Sequence, residues 1–470
     1  MAESRIAYLT EIRKVFFGQA ITNSGRQDIM TISTFNPYSN ERIREFKEED
    51  IESLGARISS IRNEQVSWRK NIDDRIAYLR NVLKPNLQKK ENEIARQMTI
   101  EMGKPISQSI AEVKKCEGLV DFAIQNFGRF LEPEQVKTEG MKTYVRFDPL
   151  GVVMLVMPWN YPLWQVFRAA IPAMTAGNGV FLKHASIVTG TSLLIEEVME
   201  SPLFKSAVIS GSNTLELLKH VDGVSFTGST SVGTRIAKAA GEELKKAVLE
   251  LGGSDPFIVL KSADLRATAE KAAFARLQNA GQSCIASKRF IVHESVFDDF
   301  YRELKEQFAS VIMGDPMDGK TFLGPLSSSE QTMTVNRQVS QLRTMGTVDQ
   351  FGGASGNMIG PTIASTDALF DQEIFGPVAV VKKFRNDDEA VRMANETPFG
   401  LGSSVWGDPE EAERLVPDIE AGMVFINKIV ASDPRVPFGG VKRSGLGREL
   451  SRYGLLEFTN IKTTWIQAKP

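Results

Sequence analysis

Cys284 follows a run of small and polar residues, NAGQS, which suits a backbone that passes close to a ligand. The chain has one other cysteine, Cys116, in EVKKCEGLVDFAI, a segment whose helical period is typical of packing. A thiol becomes a strong nucleophile only when hydrogen-bond donors, positive charge or a nearby base favour its thiolate. Cys284 is therefore either a reactive thiol or a small buried apolar side chain, and this stretch alone leaves both interpretations open.

Two more side chains could assist such a thiol. Glu250 ends an apolar segment, VLE, and two glycines follow within three residues. Its carboxyl group is either a hydrogen-bonded part of the structure or a general base whose pKa is raised by burial. Asn160 lies between two prolines in PWNYP, where a rigid loop can present the side-chain amide to an oxyanion.

The segment FTGSTSVG, residues 226–233, predicts a strand that ends just before a helix begins. Backbone N–H groups and the Ser229 hydroxyl would then face outward at the positive end of the helix, which is a phosphate site. The same pattern also describes a simple helix cap. Lys183, in LKHAS, ends a predicted strand where a dinucleotide fold places a group that binds ribose, although a solvated lysine fits equally well.

An alternation of strands and helices places these motifs. Between residues 152 and 250 the pattern predicts a parallel, doubly wound sheet, in which ligands bind at the carboxyl ends of the strands. Four motifs fall at this edge: PWNYP, LKHAS, FTGSTSVG and LELGGSDP. A second alternation begins at Asp264, with a helix to Ala280 and with Cys284 near the first strand-to-helix junction. The predicted elements of the first sheet are strands 152–157, 179–183, 207–210, 224–227 and 247–250, and helices 163–175, 190–200, 214–220 and 231–245.

The remaining segments are simpler. Residues 48–130 have apolar residues at helical spacing between charges and predict helices. Residues 141–151 and the segment EFTNIKTTWIQ near the end of the sequence are isolated strand patterns. We expect these two strands to pair with each other or with another subunit.

Composition excludes several classes of protein. The 470 residues suggest two or three domains, and 42% hydrophobic and 24% charged residues are ordinary for a globular enzyme. A net charge of −2 argues against nucleic acid or an anionic membrane as the main partner. Two cysteines exclude a disulfide framework, three scattered histidines argue against a metal site, and no GxSxG motif is present. No membrane-length apolar run or signal peptide is evident, so the cytoplasm is the expected location.

Five segments, in the order PWNYP, LELGGSDP, NAGQSCIASKRF, EIFGPV and PFGGVKRSGLGRE, resemble the motifs of the aldehyde dehydrogenase superfamily. The resemblance runs from about Thr31 to the end of the sequence, and LELGG and GQSC are its most specific parts. Within the superfamily the chain is most similar to short prokaryotic NAD(P)-dependent succinate-semialdehyde dehydrogenases. LKHAS, ELGGSDPFIVL and VASDPRVPFGG carry that closer likeness.

The resemblance implies an α/β fold of the aldehyde dehydrogenase type, with two doubly wound parallel-sheet domains and a β oligomerisation flap. The implied partners are a small aldehyde and further copies of the chain in a homodimer or homotetramer, with no nucleic acid and no membrane. The implied boundaries are an N-terminal extension at 1–30, a cofactor-binding domain at 31–131 and 149–252, a catalytic domain at 253–430, and the flap at 132–148 and 455–470.

The resemblance also implies a mechanism. Cys284 would attack the aldehyde, and its own N–H and the Asn160 amide would hold the oxyanion. Hydride transfer would leave a thioester, and Glu250 would activate the water that hydrolyses it. No metal is implied. The implied cofactor contacts are Trp159, Lys183, Ser186, Gly228, Ser229, Glu373 and Phe375.

Departures from the family pattern refine these expectations. NAD-preferring relatives often carry an acidic residue where this chain has Ser186, so we expect NADP as the cofactor, with NAD possible. Some relatives form a disulfide switch with a second cysteine where this chain has Ala286, so the switch is not expected. The segment 201–214 is shorter than the common pattern.

The substrate is expected to be succinate semialdehyde, oxidised to succinate. Arg168 lies eight residues after Asn160 in an apolar helix, just over two turns at about 3.6 residues per turn, and is either structural or an anion clamp. Relatives of this specificity use an arginine here, and some use a second one where this chain has Gln278, so Ser432 would have to assist. Glyceraldehyde or lactaldehyde remains an alternative substrate, and a non-catalytic structural protein is a remote one. A CoA-acylating enzyme typically lacks the base, so Glu250 argues against it.

Overall fold

The computed structural model describes residues 30–469. The predicted N-terminal extension at 1–30 lies, except for Met30, outside the described residues. Within the described part, two large and mainly parallel sheets are accompanied by small antiparallel ones. The α/β architecture with two parallel-sheet units is therefore confirmed.

The strands of the described residues are β1 (Thr31–Phe35), β2 (Arg42–Lys47), β3 (Glu134–Gln135), β4 (Lys142–Pro149), β5 (Val152–Met157), β6 (Gly179–His184), β7 (Phe204–Ala207), β8 (Gly223–Thr227), β9 (Lys246–Glu250), β10 (Asp255–Val259), β11 (Ser287–His293), β12 (Thr347–Gln350), β13 (Thr362–Ser365), β14 (Val378–Phe384), β15 (Phe399–Gly400), β16 (Gly402–Trp406), β17 (Met423–Ile426), β18 (Val441–Lys442), β19 (Gly445–Leu446) and β20 (Thr459–Ile466).

The α-helices are α1 (Ile51–Trp68), α2 (Ile72–Tyr78), α3 (Lys84–Lys89), α4 (Glu91–Met102), α5 (Ile106–Phe130), α6 (Pro162–Thr175), α7 (Thr189–Met199), α8 (Thr230–Glu242), α9 (Leu265–Leu277), α10 (Phe297–Ala309), α11 (Ser329–Met345), α12 (Asp387–Asn395), α13 (Pro409–Leu415) and α14 (Ser451–Glu457). One π-helical turn, Leu79–Leu83, joins α2 to α3.

The first large sheet has the order β19-β9-β8-β5-β6-β7, and only the short β19 runs antiparallel to its neighbour. Its central strands β5, β6 and β8 are buried along almost their whole length, because helices cover both faces of the sheet. The sequence located four of its strands within a residue or two. The fifth, β7, lies three residues earlier than predicted, and Thr214–His220 is a 3-10 helix instead of an α-helix.

The second large sheet has the order β12-β13-β14-β11-β10-β16-β17, with β12 as its one antiparallel strand. The sequence did not predict β10, which follows β9 after only the four residues 251–254. The chain therefore leaves the carboxyl edge of the first sheet and enters the amino edge of the second almost at once. This short link makes the two edges face each other, and the motifs lie between them.

The isolated strand patterns do pair with each other. β4 and β20 form an antiparallel ladder from Lys142 opposite Ile466 to Pro149 opposite Thr459, and β3 adds a third strand. Part of the predicted flap at 455–470 is the end of α14. The domain boundaries stay predictions.

Helix α6 is buried along its whole length, from Pro162 to Thr175. It packs against α5 and the strands β5 and β6, which places the PWNYP loop at its amino end and Arg168 in its middle. Among the helices described, none has the length and apolar character to cross a bilayer.

Candidate active site

Cys284 lies in the loop between α9 and β11, before the amino end of a parallel strand. The expected position near a strand-to-helix junction is therefore wrong. Helix α9 ends at Leu277, not at Ala280, because Asn279 and Ala280 have left-handed φ values of 53° and 52°. This turn redirects the chain across the amino edge of the second sheet.

Two buried cations hold the Cys284 loop by its carbonyl groups. Arg276 is 0% exposed, and its Nη2 donates to Gly281 O at 2.6 Å and to Gly376 O at 2.7 Å. Lys288 Nζ donates to Ser283 O at 2.9 Å and to Cys284 O at 2.8 Å. Carbonyl groups that accept from buried charges are strongly fixed. The loop that carries the thiol is thus rigid at both ends.

The thiol itself is poorly ionised in this setting. Burial raises the pKa of Cys284 to about 12, and the neighbouring charges of Arg168 and Lys288 lower it only in part. Because the thiolate is the nucleophile, a base or a further positive charge must favour it when a substrate is attacked.

Asn160 is hydrogen-bonded to the Cys284 loop. It is 4% exposed, and its Nδ2 donates to Gln282 O at 3.0 Å. Its backbone oxygen accepts from Asn279 Nδ2 at 2.8 Å. These two bonds place a side-chain amide beside the thiol loop, as an oxyanion donor requires.

The PWNYP loop is fixed from behind by Glu112 and His184. Glu112 Oε1 accepts from the N–H groups of Leu163 and Trp164, both at 2.9 Å, and Glu112 also forms a buried ion pair with Lys104. A carboxylate is favourable at the positive amino end of a helix, here α6. His184 Nε2 donates to Pro162 O at 2.8 Å, and burial lowers its pKa to about 4, so the ring is neutral.

Glu250 ends β9 and is 2% exposed. Neither carboxyl oxygen has a hydrogen-bond partner within residues 30–469. Burial raises its pKa well above the usual value, the charge of Glu449 raises it further, and Arg168 opposes both. Because the pKa of this carboxyl group is raised, its ionised form is a stronger base toward water than an exposed glutamate, and its oxygens have no competing hydrogen bond from the described residues.

The LGG segment brings Glu250 and the thiol loop together. A methyl group built on Gly253 would lie 2.6 Å from Cys284 O, and one built on Gly252 would lie 2.5 Å from Glu373 Oε2. Only glycine permits such approaches. The two consecutive glycines therefore allow the edges of the two sheets to meet at the site.

Arg168 is 2% exposed, and its charge is matched inside the protein. Its Nε forms a buried ion pair with Glu449, and its Nη2 donates to Gln165 Oε1 at 2.6 Å. The guanidinium also lies 4.4 Å from the centre of the Phe438 ring. Arg168 contributes to the wall of the cavity beside Cys284, while Glu449 and Gln165 engage its Nε and Nη2.

The predicted cofactor residues lie along two edges. Trp159 and Phe375 meet edge to face, with ring centres 5.7 Å apart. Glu373 Oε1 accepts from Gly253 N at 3.1 Å and lies 3.5 Å from Lys288 Nζ. This group connects the PWNYP loop to the amino edge of the second sheet.

The other cofactor residues lie at the carboxyl edge of the first sheet. Gly228 and Ser229 precede α8, and Ser229 Oγ accepts from Val232 N at 3.4 Å. Lys183 is 6% exposed at the end of β6 and forms no ion pair with the described residues, while Ser186 begins the 3-10 helix that follows. Burial lowers the pKa of Lys183 to about 8. An unpaired buried cation and an open helix end fit a phosphorylated dinucleotide.

A cavity of about 290 Å³ opens beside Cys284. Its wall includes the predicted substrate residues Arg168 and Ser432, and also Lys115, which the sequence had not suggested. Among residues 30–469 no group of three or more His, Cys, Asp or Glu side chains is arranged to hold a metal ion.

Sequence reasoning missed several residues that fix or line the site. Lys115 and Glu112 share one stripe of α5 with Cys116, at the three- and four-residue spacing of a buried face, which was an available signal. Glu449 is the last residue of the motif PFGGVKRSGLGRE, but no feature of the sequence around it indicates a role in the site. The residues missed are Lys104, Glu112, Lys115, His184, Arg276, Lys288 and Glu449.

The fold and the site define a class: a two-sheet α/β protein that presents a half-buried thiol, an amide donor and a buried carboxyl group where the edges of its two sheets meet, beside a small cavity. The pattern of the aldehyde dehydrogenase family matches residues 24–464. The chain belongs to this family.

Relatives of known name are similar along nearly the whole chain. A probable NADP(+) succinate-semialdehyde dehydrogenase of Synechocystis is 42% identical over 455 residues, covering 93% of this chain and 100% of that protein. NADP(+) succinate-semialdehyde dehydrogenase 1 of Mycobacterium tuberculosis is 41% identical over 456 residues, with the same shares of the two chains. The crystal structure of succinic semialdehyde dehydrogenase from Streptococcus pyogenes with NADP+ matches with a TM-score of 0.89 and 34% identity, covering 93% of this chain and 100% of that one.

Proposed function

We propose that this protein oxidises succinate semialdehyde to succinate with NADP, and with NAD as a weaker alternative. The observation that carries the proposal is the Cys284 loop, which is hydrogen-bonded to Asn160, lies against the glycines that follow Glu250, and borders a small cavity whose wall includes two cations. The names of the relatives in Synechocystis, Mycobacterium and Streptococcus support both the substrate and the cofactor.

The first half of the reaction uses the thiol loop. The Cys284 thiol releases its proton to solvent, its Sγ then forms a bond to the aldehyde carbon, and the electron pair of the C=O π bond moves to the oxygen, which becomes an oxyanion. The Asn160 amide and the Cys284 N–H stabilise this charge; a single donor of this kind contributes about 3 kcal/mol to the transition state. When bound, NADP supplies a hydride acceptor, and loss of the hydride leaves a thioester on Cys284.

The second half uses the carboxyl edge of the first sheet. Glu250 accepts a proton from water, and the hydroxide oxygen attacks the thioester carbon. Collapse of the tetrahedral species breaks the carbon–sulfur bond, releases the acid and restores Cys284. Lys183, Ser186, Gly228 and Ser229 would hold the adenosine and phosphate groups, and Trp159, Glu373 and Phe375 the nicotinamide end.

The proposal extends to the assembly and the location of the protein. The β20 side of the flap exposes Ile461 and Trp465, which suits a homodimer or homotetramer, and light scattering of the purified chain tests this assembly. The cytoplasmic location stays a prediction from the sequence.

An aldehyde panel tests the function. The purified protein is given succinate semialdehyde, glyceraldehyde, lactaldehyde or butanal, each with NADP and with NAD, and reduced cofactor is followed by absorbance. We expect the highest kcat/KM for succinate semialdehyde with NADP. A higher kcat/KM for glyceraldehyde or lactaldehyde would overturn the substrate assignment and leave only the aldehyde oxidation.

A further inference from the structure

The wall of the Cys284 cavity contains two cations on different helices, Lys115 on α5 and Arg168 on α6. A substrate with a distal carboxylate needs a positive charge in this wall. Sequence reasoning selected Arg168 for that role. The contacts of the two side chains favour Lys115 instead.

Arg168 has little charge left to offer. Its ion pair with Glu449 is buried, since both side chains are under 5% exposed. Moving Arg168 toward a substrate would leave Glu449 as an unpaired buried carboxylate, a strongly unfavourable state. Among charges, Glu449 has the largest effect on the pKa of Glu250 and raises it, while Arg168 lowers it, so Arg168 keeps the local charge balanced around the base.

Lys115 forms no ion pair with residues 30–469. Its Nζ donates to Ser432 Oγ at 2.6 Å and lies 4.3 Å from the centre of the Trp164 ring. Both contacts belong to residues that line the cavity. The ammonium therefore points at the space where the substrate must lie.

The acidic groups near Lys115 are already used. Glu112 is paired with Lys104 and accepts two N–H bonds at the start of α6. Asp433 is paired with Arg435, at 2.5 Å. A half-buried ammonium whose acidic neighbours are paired elsewhere can bind an anion that enters the cavity.

We infer that Lys115, with the Ser432 hydroxyl, binds the distal carboxylate of the substrate and sets the preference for short aldehydes that end in a carboxylate. This inference rests on the proposed function and deepens it. Arg168 is then a positioning residue that acts through Glu449.

The test compares succinate semialdehyde with butanal, which has the same four-carbon chain without the carboxylate. In Lys115→Met, kcat/KM for succinate semialdehyde should fall roughly ten- to a hundredfold, as expected for one charge-assisted contact, and that for butanal should change less than about threefold. Lys115→Arg should recover most of the loss. Lys114→Met is the matched control, because the adjacent Lys114 is an exposed residue paired with Glu91.

Arg168→Met should lower kcat/KM for succinate semialdehyde and for butanal by the same factor. Equal loss of both in Lys115→Met, or a loss confined to succinate semialdehyde in Arg168→Met, would overturn the inference while the proposed function stands. A wild-type protein that does not prefer succinate semialdehyde to butanal would overturn the substrate assignment itself. Thermal unfolding of each variant shows whether it is folded.

A pH profile of the wild type provides an independent test. Burial lowers the pKa of Lys115 to about 8, Arg168 lowers it further, and Cys116, Glu112 and Asp433 raise it. The ammonium is therefore charged at neutral pH and loses its proton as pH rises through about 8. Because kcat/KM reports the free enzyme, the ratio of succinate semialdehyde to butanal should fall severalfold across this range. The ratio should stay level in Lys115→Arg, and a level ratio in the wild type would contradict the inference.

Discussion

The two large sheets present opposite ends of their strands to the site. The first sheet presents carboxyl ends, which carry Asn160, Lys183 and Glu250 on the residues where the strands stop or just beyond. The second sheet presents amino ends, and Cys284 lies in a loop that precedes its strand. The carboxyl edge thus supplies side chains directly, whereas the amino edge supplies a loop that must itself be held.

The difference shows in the partners of each edge. At the amino edge, Arg276 and Lys288 are buried cations that donate to backbone carbonyl groups. At the carboxyl edge, Glu250 has no hydrogen bond within the described residues, and Lys183 has no ion pair there. The amino edge is held rigid and the carboxyl edge keeps polar groups without protein partners among the described residues, as the proposed attack and hydrolysis require.

The largest effect should come from the nucleophile. Cys284→Ala should lower kcat by roughly a thousandfold or more with every aldehyde, because no other thiol lies in the cavity wall. Cys116→Ala is the control, since Cys116 is buried in α5 and burial raises the pKa of its thiol well above the usual value. If Cys284→Ala turns over near the wild-type rate, Cys284 is not the nucleophile and the amino edge takes no part in the reaction.

The next effect concerns the rigidity of the amino edge. Arg276→Met would leave the carbonyl groups of Gly281 and Gly376 buried without their donor. The free energy of unfolding should fall by about 2–4 kcal/mol, and kcat should fall roughly tenfold or more. Urea denaturation measures the free energy of unfolding, and steady-state assays measure kcat.

Arg266→Met is the control for this loss, because Arg266 is exposed on the same helix, α9. Its free energy of unfolding should change by less than about 0.5 kcal/mol. If Arg276→Met is as stable and as active as Arg266→Met, the carbonyl contacts do not hold the loop.

These two edges were not equally predictable. The carboxyl edge follows from β5, β6, β8 and β9, which are apolar runs of typical length, so their last residues could be placed from the sequence. The amino edge depends on β10, whose start at Asp255-Pro256 resembles a turn, and on the left-handed Asn279 and Ala280. Neither is coded by a periodic pattern.

The same contrast applies to single residues. Cys284, Asn160 and Glu250 stand out because glycines and prolines surround them. Lys115 follows another lysine in a charged helix and reads as solvated, and only the packing of α5 against α6 turns it toward the cavity. Arg168 lines the cavity, but its ion pair with Glu449 joins residues too far apart in the chain to be foreseen.

A smaller effect is expected at the carboxyl edge. Ser186→Glu should shift the preference from NADP toward NAD, because a carboxylate there repels the 2′-phosphate of NADP. At a half-buried site the repulsion should be about 1 kcal/mol, or roughly fivefold in the ratio of the two kcat/KM values. Ser59→Glu on the exposed side of α1 adds the same charge elsewhere and should leave the ratio unchanged. A wild type that uses NAD alone would contradict this role of Ser186.

The division of labour between the two edges is tested most directly by Glu250→Gln. With saturating succinate semialdehyde and NADP, rapid mixing should show a burst of about one NADPH per active site, followed by a nearly flat trace, because the thioester forms on Cys284 but is not hydrolysed. Cys284→Ala should give no burst. If Glu250→Gln continues to turn over at the wild-type rate after the first NADPH, Glu250 is not the base and the two edges do not serve separate half-reactions.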